Sequence, residues 1–457
     1  MAIVSPAFAL FVAAALVVHH VLPKRARPLW LLVASYAFHA LLAWRFVPLL
    51  AGVTVVTFAI GERIARGGTR RASWLWTGIA LNLATLAAFR LLYRTEPFVA
   101  PFVVVGLSFY ALQAVSYLID VFNGTLRRRP SLAGLALYLG YFPKLVAGPI
   151  ERAREFLPRL AAPAVVDDAV AGRAATLIAI GVSRKIVIAD PLLATLPAGV
   201  FTAPGEHGAL VLAASLVGYA FVLYNDFAGY TSIVRGVSSL FGIELSQNFA
   251  QPFFARSFTE FWNRWHVSLS HWVRDYVYLP LSRALLRRDP RMRNVANLVL
   301  PPLLAMLASA VWHGIGLHML LWGALHGAYL VGERLIVLGR PVAVRRRDPR
   351  WRQVASAGVV FTLGTWAFAA FRMEIDVALA YWAGILAGSA GAWPDPRLLP
   401  FLAASLWIDW IQYRHDDEVA FLRWPALARA ALLALAVVLW VVMSDRHDTV
   451  PFIYRGF

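Results

Sequence analysis

Trp312-His313-Gly314 sets an imidazole between an indole and a residue with no side chain. A neutral imidazole takes a proton from a hydroxyl as that oxygen attacks a carbonyl. The tripeptide therefore offers a base, a flat wall beside it, and room for close approach. It lies in the 46-residue run Asn294–Gly339, which carries only two formal charges, Glu333 and Arg334. An imidazole in so apolar a setting is costly unless it is paired or used. Burial also favours its neutral, proton-accepting form. A structural histidine bonded to a backbone carbonyl has the same signature, so both readings stand at this point.

Two further groups join it. Asp226, in Tyr224-Asn225-Asp226-Phe227-Ala228-Gly229-Tyr230, is an acid in an apolar segment and is expected to face inward, paired with an Arg or serving function. His266 falls on Ser257–Leu279, where Phe258, Phe261, Trp262, Trp265, Leu269, Trp272 and Tyr276 make one apolar stripe at 3.6 residues per turn. Glu260, Asn263, Arg264, His271, Arg274 and Asp275 lie opposite. The pattern predicts one amphipathic helix against the bundle or in the interface, stopped by Pro280, with His266 at the stripe's edge.

Other chemistries fit poorly. His266 and His271 are five residues apart, as are His313 and His318, which sets each pair about 140° apart on a helix. No metal site is expected. With no cysteine, thiolate chemistry and disulfides are excluded. There is no Gly-x-Ser-x-Gly elbow and no phosphate loop. Acyl transfer to an alcohol suits the histidines, and a transporter with buried charges and broken helices remains the alternative.

These groups need elements to hold them, and composition names the kind. The chain is 60% hydrophobic and 15% charged, against ~25% charged in soluble domains, which indicates a polytopic membrane protein. The net charge of +18 falls in short clusters between apolar segments, as in cytoplasmic loops, so nucleic acid is not an expected partner. Ile3–Leu22 has no basic residue before it and is expected to be a retained first span. Further spans are expected at 28–44, 46–60, 73–93, 97–121, 353–371, 377–388, 398–412 and 426–443. The loops Arg283–Arg293 and Arg340–Arg352 are placed in the cytoplasm by their charge. Leu132–Ile150, with Gly134, Gly140, Pro143, Gly148 and Pro149, is expected to be kinked or re-entrant, and Leu177–Val200 is interrupted by Arg184, Lys185 and Asp190. Gly and Asp in Gly208–Ile243 suggest a protein-lined passage there. One integral domain, 1–457, of roughly ten to twelve spanning or half-spanning segments is expected.

Several stretches together resemble one family closely. They are Leu107-Ser108-Phe109-Tyr110 through Asp120, Tyr141-Phe142-Pro143-Lys144-Leu145-Val146-Ala147-Gly148-Pro149-Ile150, and Lys185-Ile186-Val187-Ile188-Ala189-Asp190. Asp226-Phe227-Ala228-Gly229-Tyr230, Asn248-Phe249, and Phe261-Trp262-Asn263-Arg264-Trp265-His266 follow. Then come Arg274-Asp275-Tyr276, Leu279-Pro280-Leu281, Trp312-His313-Gly314, Leu321-Trp322-Gly323, His326-Gly327 and Pro451-Phe452-Ile453-Tyr454. The chain resembles bacterial membrane-bound O-acyltransferases, in the branch of alginate O-acetyltransferases and teichoic acid D-alanyltransferases, over a core of about 107–327. Ser232 departs from the alginate-type pattern, which often has an acid there.

The resemblance implies an all-α ring of about ten to twelve transmembrane and re-entrant helices around a central tunnel, in the bacterial cytoplasmic (inner) membrane. It implies His313 as catalytic base and His266 as the second active-site histidine, with Asp226, Tyr230, Asn263, Trp312 and Lys144 as candidates along the tunnel. The donor would be an acyl-CoA, such as acetyl-CoA, or an acyl-carrier-protein thioester, with no resident cofactor and no metal. The acceptor would be an exported polysaccharide or cell-envelope polymer, reached directly or through a periplasmic or extracellular partner protein. D-alanyl transfer from a carrier protein is the second reading, and a transporter whose histidines gate is the third.

Overall fold

The computed structural model describes residues 3–95, 106–291, 294–339 and 349–444. They form helices and connecting turns, with no strand among the described residues. The chain divides into two compact units, each assembled from separated stretches of sequence.

The first unit draws on Met1–Ser183, Gly229–Gln247 and Phe421–Gly456. It begins with α1 (Pro6–Val21), α2 (Arg27–Ala43), α3 (Val47–Ala65), α4 (Arg71–Thr95) and α5 (Leu107–Asn123). Each of the first three starts with a proline in its first turn, where a missing N–H costs nothing. Then α6 (Leu132–Gly140), capped by the Ser131 hydroxyl, breaks at Tyr141 into the four-residue α7 (Phe142–Leu145). The kink expected in Leu132–Ile150 is therefore present, and its irregular backbone is buried in protein, as a low-dielectric setting requires. After it come α8 (Ala153–Ala161) and α9 (Asp168–Val182), the latter capped by Asp167. The segment 97–105 of an expected span, the loop residues 340–348 and the motif 451–454 lie outside the described residues.

The second unit draws on Arg184–Ala228 and Asn248–Ala420. The chain reaches it through a π-helical stretch, Ser183–Ala189, and α10 (Asp190–Ala194). Next is α11 (Ala209–Ser239), whose residues 209–228 belong to this unit and whose remainder belongs to the first. Its apolar window is 78% buried, against 22–44% for the other candidate spans, so protein encloses it on nearly all sides. No break interrupts α11, and its glycines and Asp226 sit in regular helix. The stretch 257–279 also differs from expectation. It is not one helix but α12 (Phe258–Trp262), a turn, α13 (Val267–Val273) and a π-helical stretch Arg274–Tyr278. Pro280 does not end it; it occupies the first turn of α14 (Leu279–Arg288). Five of the seven stripe residues, Phe258, Phe261, Trp265, Leu269 and Trp272, are buried, and Trp262 and Tyr276 are half-buried.

A hairpin follows: α15 (Val295–His313), capped by the Asn294 side chain, turns through Gly314-Ile315-Gly316 into α16 (Leu317–Gly339). Then come α17 (Arg350–Arg372), α18 (Ile375–Ala387) and α19 (Leu398–His415), and α20 (Ala426–Ser444) returns to the first unit. Five described stretches are long and apolar enough to cross a bilayer: Arg27–Ala65, Arg71–Leu92, Ala209–Ser239, Val295–His313 and Arg350–Arg372. The fold is that of an all-α, multi-pass membrane protein.

Two glycines set the closeness of the α15–α16 hairpin. A Cβ at Gly323 would lie 2.7 Å from the Ala310 Cβ and 2.8 Å from the Met306 carbonyl oxygen. One at Gly327 would lie 3.0 Å from the Leu303 Cα. Small residues four apart let membrane helices touch backbone to backbone. Gly332, on the same helix, has nothing within 4 Å. Gly323→Ala is expected to destabilise the protein by about 1–3 kcal/mol, the usual scale of overpacking, whereas Gly332→Ala is not. Thermal unfolding of the two variants in detergent checks this, and equal melting temperatures would remove the steric argument.

Candidate active site

His313 is the last residue of α15, and Gly314 leaves the helix in an extended conformation. The imidazole is buried among rings: Trp312 at 4.7 Å, Phe371 at 5.1 Å and Trp322 at 5.4 Å between centroids. His266 lies 5.9 Å from the same indole and stands edge-on to Phe227 at 4.8 Å. Trp312 is therefore shared by both histidines, and all are buried.

The backbone explains how His266 gets there. It adopts φ 41°, ψ 53°, a left-handed conformation, and serves as the N-cap of α13. A non-glycine residue there stores roughly 1–3 kcal/mol, and such strain concentrates at functional sites. Asn248 holds the break in place: its carbonyl accepts from the Val267 N–H at 2.9 Å and its Oδ1 from the Ser268 N–H at 3.1 Å. Ala250 and Arg264 close the neighbouring turn, each bonding to the other's carbonyl. The break rotates the His266 ring from the stripe's edge to a fully buried position.

Charges beside this cluster are paired. Asp226 lies 2.7 Å from Lys185, which also binds Asp190 at 2.7 Å. The partner of Asp226 is thus a lysine, not the arginine expected from sequence. Arg184 binds Asp409 at 2.5 Å and donates to Asn225 at 3.0 Å, while the Tyr224 hydroxyl donates to Asp409 at 2.8 Å. Both cations come from the π-helical stretch, which brings adjacent side chains to separate acids on α11, α10 and α19.

A cavity of about 290 Å³ lies beside α15. Its α15 wall is Pro302, Ala305, Met306 and Ser309, a face whose next turn ends at His313. Trp262 and Asn263 line it from α12, His271 and Arg274 from α13 and the turn after it, and Leu330 and Arg334 from α16. Pro302 has no N–H to give the Leu298 carbonyl, and the Arg334 guanidinium donates to that carbonyl instead, at 3.2 Å. Arg274, paired with Asp275 at 2.9 Å, and Arg334 bring positive charge to the cavity lining.

Of the residues singled out from sequence, His313, His266, Trp312, Asn263 and Asp226 all fall in the second unit. Asn263 is exposed and donates to the Thr259 carbonyl. Tyr230 is buried on the part of α11 that belongs to the first unit. Lys144 is also in the first unit, fully buried, donating to the Gln113 side chain and the Tyr138 carbonyl. The Tyr138 hydroxyl donates to the Glu151 carbonyl, and the Glu151 carboxylate accepts from the Ser246 N–H and hydroxyl. Sequence reading missed the roles of Ser309, Arg274 and Arg334 in the cavity. The Pro301-Pro302 pair inside an otherwise apolar span was the available signal.

Comparison with known proteins follows this geometry. A model of the membrane-bound O-acyltransferase family (MBOAT) matches residues 121–373. A probable alginate O-acetylase AlgI of Azotobacter vinelandii is 33% identical over 404 residues, covering 84% of this chain and 77% of its own. A peptidoglycan O-acetyltransferase of Helicobacter pylori is 27% identical over 348 residues, 67% of this chain and 64% of its own. A teichoic acid D-alanyltransferase of Streptococcus thermophilus is 32% identical over 274 residues, 57% and 65% respectively.

The Lys185 pairing makes an ordering of variants. Lys185→Met strands two carboxylates, whereas Asp226→Asn leaves the Lys185–Asp190 pair intact. Removing one partner of a buried pair costs about 3–5 kcal/mol. Lys185→Met is expected to show a loss of that order in thermal unfolding, and Asp226→Asn a smaller one. The reverse order would mean that Lys185 is not the shared counter-ion.

Proposed function

As the chain belongs to the membrane-bound O-acyltransferase family and is an integral-membrane O-acyltransferase, we propose that it moves an acetyl group from a cytoplasmic thioester to hydroxyls of an exported polysaccharide or cell-envelope polymer. Acetyl and polymer are inferred from relatives named for O-acetylation of alginate and peptidoglycan. The membrane is taken to be the bacterial cytoplasmic one, with transfer direct or through a partner protein outside it.

The observation that carries the reading is the α15 face Pro302, Ala305, Met306 and Ser309, which lines a cavity together with Arg274 and Arg334 and lies one helical turn before His313. A thioester of CoA or of a phosphopantetheine carrier is anionic at one end and reactive at the other. Arg274 and Arg334 suit the anionic end. The acyl carbon then reaches the ring-walled space at His313, where little room remains for water to hydrolyse it. His313 takes the proton of the acceptor hydroxyl as the oxygen attacks the thioester carbonyl. Collapse forms the ester, releases the thiolate, and the imidazolium returns the proton to sulfur. His266, sharing Trp312, is the second imidazole of the site.

His313→Ala is expected to lower transfer of labelled acetyl to a polymer acceptor such as alginate by ~10²-fold or more, the scale of general-base loss, with an unchanged melting temperature. Wild-type turnover in that variant would end the assignment. In sealed proteoliposomes of known orientation, donor at the face bearing the Arg283 loop is expected to support transfer and donor at the other face is not. Equal rates from both faces of tight vesicles would overturn the two-sided route.

A further inference from the structure

The first unit holds another cavity, of about 250 Å³, between α9 and α20. Its wall is apolar, with Ala179 on α9 facing Leu432 and Leu433 on α20. Gly172 lines it too, and a Cβ there would meet nothing within 4 Å. One charged side chain shares the lining, Arg429. Its Nε is buried without a hydrogen-bond partner, and no acid among the described residues pairs with the guanidinium. The other polar side chain of the lining, Thr176, already donates to the Gly172 carbonyl at 2.9 Å. A buried N–H left unmatched is costly, and a guanidinium only donates, so its complement is an acceptor and best an anion.

Bonds within the first unit place this groove in the membrane. Just before α9, Arg159 donates to the Glu244 carbonyl and the Ala164 N–H to the Gly242 carbonyl. At the same end Arg154 pairs with Asp120 at 3.8 Å, and Arg129 with Glu62 at 2.8 Å. There lie the basic clusters 63–71 and 127–129, whose charge marks the cytoplasmic face. The groove begins within two turns of the start of α9 and of α20, and so opens in the inner half of the bilayer. Leu427, Leu435 and Val438 on α20 are exposed, which leaves acyl chains as the surroundings. At about 250 Å³ the groove is smaller than the ~300–1,000 Å³ of sites that enclose a ligand, so its occupant lies along it and continues outside. We propose that the groove between α9 and α20 is a site for an anionic glycerophospholipid of the inner leaflet. The phosphodiester pairs with Arg429, as in other basic pockets between spanning helices, and one acyl chain lies against Gly172, Ala179 and Leu433.

The test uses the purified full-length protein, stripped of lipid in detergent, with phosphatidylglycerol and phosphatidylcholine of identical chains as probes. Native mass spectra count the lipids retained, and thermal unfolding follows added lipid. Wild type is expected to hold one phosphatidylglycerol about tenfold or more tightly than phosphatidylcholine, the scale of a charge-assisted hydrogen bond, and its melting temperature rises with phosphatidylglycerol. Arg429→Gln loses that preference and that rise, while its melting temperature without lipid stays near wild type. Gly172→Leu keeps the arginine, fills the groove and loses the lipid as well. A purely structural arginine would show the opposite: Arg429→Gln would melt early without lipid and retain phosphatidylglycerol as wild type does. Equal retention of the two lipids by wild type, undiminished retention by either variant, or a dimer that Gly172→Leu dissociates overturns the site. If Arg429→Gln does not fold, retention by Gly172→Leu decides alone. No acyl transfer enters these readouts, so their failure leaves the assignment of His313 untouched.

Discussion

A charge inside a membrane protein must find its counter-charge or hydrogen bonds within the chain, because lipid supplies neither. Lys185 between Asp226 and Asp190, at 2.7 Å each, meets that demand with two carboxylates at once. The adjacent Arg184 meets it with Asp409. Neighbouring side chains on a helix diverge by about 100°, and Arg184 and Lys185, adjacent in the π-helical stretch Ser183–Ala189, accordingly reach different acids. Phe227 follows Asp226 directly, so the ion pair also fixes the ring that stands against His266.

Around that anchor the second unit separates two kinds of polar group. Charges at Lys185, Arg184, Asp226 and Asp409 are matched by side chains. Neutral nitrogens at Trp262, Trp322 and His326 are not matched by any described residue. The first kind holds the helices in place at little net gain in stability, since desolvation offsets most of the attraction. Both lie within the span of helices that bring His266 and His313 to Trp312.

Much of this was legible in the sequence, and the limits have physical causes. Helix positions followed hydropathy closely: 28–44 became Arg27–Ala43 and 398–412 became Leu398–His415. The apolar stripe of 257–279 correctly named its buried face, because burial of those rings is decided by period alone. The break at His266 was not visible, since nothing in Asn263–Val267 is a strong helix breaker. It is imposed from outside by Asn248, some twenty residues upstream. Pro280 misled because the same residue ends one helix or begins another. The counter-ion of Asp226 required knowing which segment packs beside α11, which periodicity cannot supply. His313 and His266 stood out by their apolar setting; Arg334 did not, because its partner is a carbonyl freed by Pro302 thirty-odd residues away.

The hairpin of α15 and α16 has one more property. Along α16 the pattern ring-then-glycine occurs twice, Trp322-Gly323 and His326-Gly327, one helical turn apart. A slide of α16 by one turn, about 5.4 Å, would set Gly327 where Gly323 now lies and would bring His326 to where Trp322 faces His313. The same slide would set Val331 where Gly327 lies, against the Leu303 Cα, where even a Cβ finds only 3.0 Å. The pair of glycines thus admits one register and refuses the next, and the short connection Gly314-Ile315-Gly316 holds the same choice. The identity of the ring beside His313 is therefore written in the second glycine, a turn away from the ring it selects.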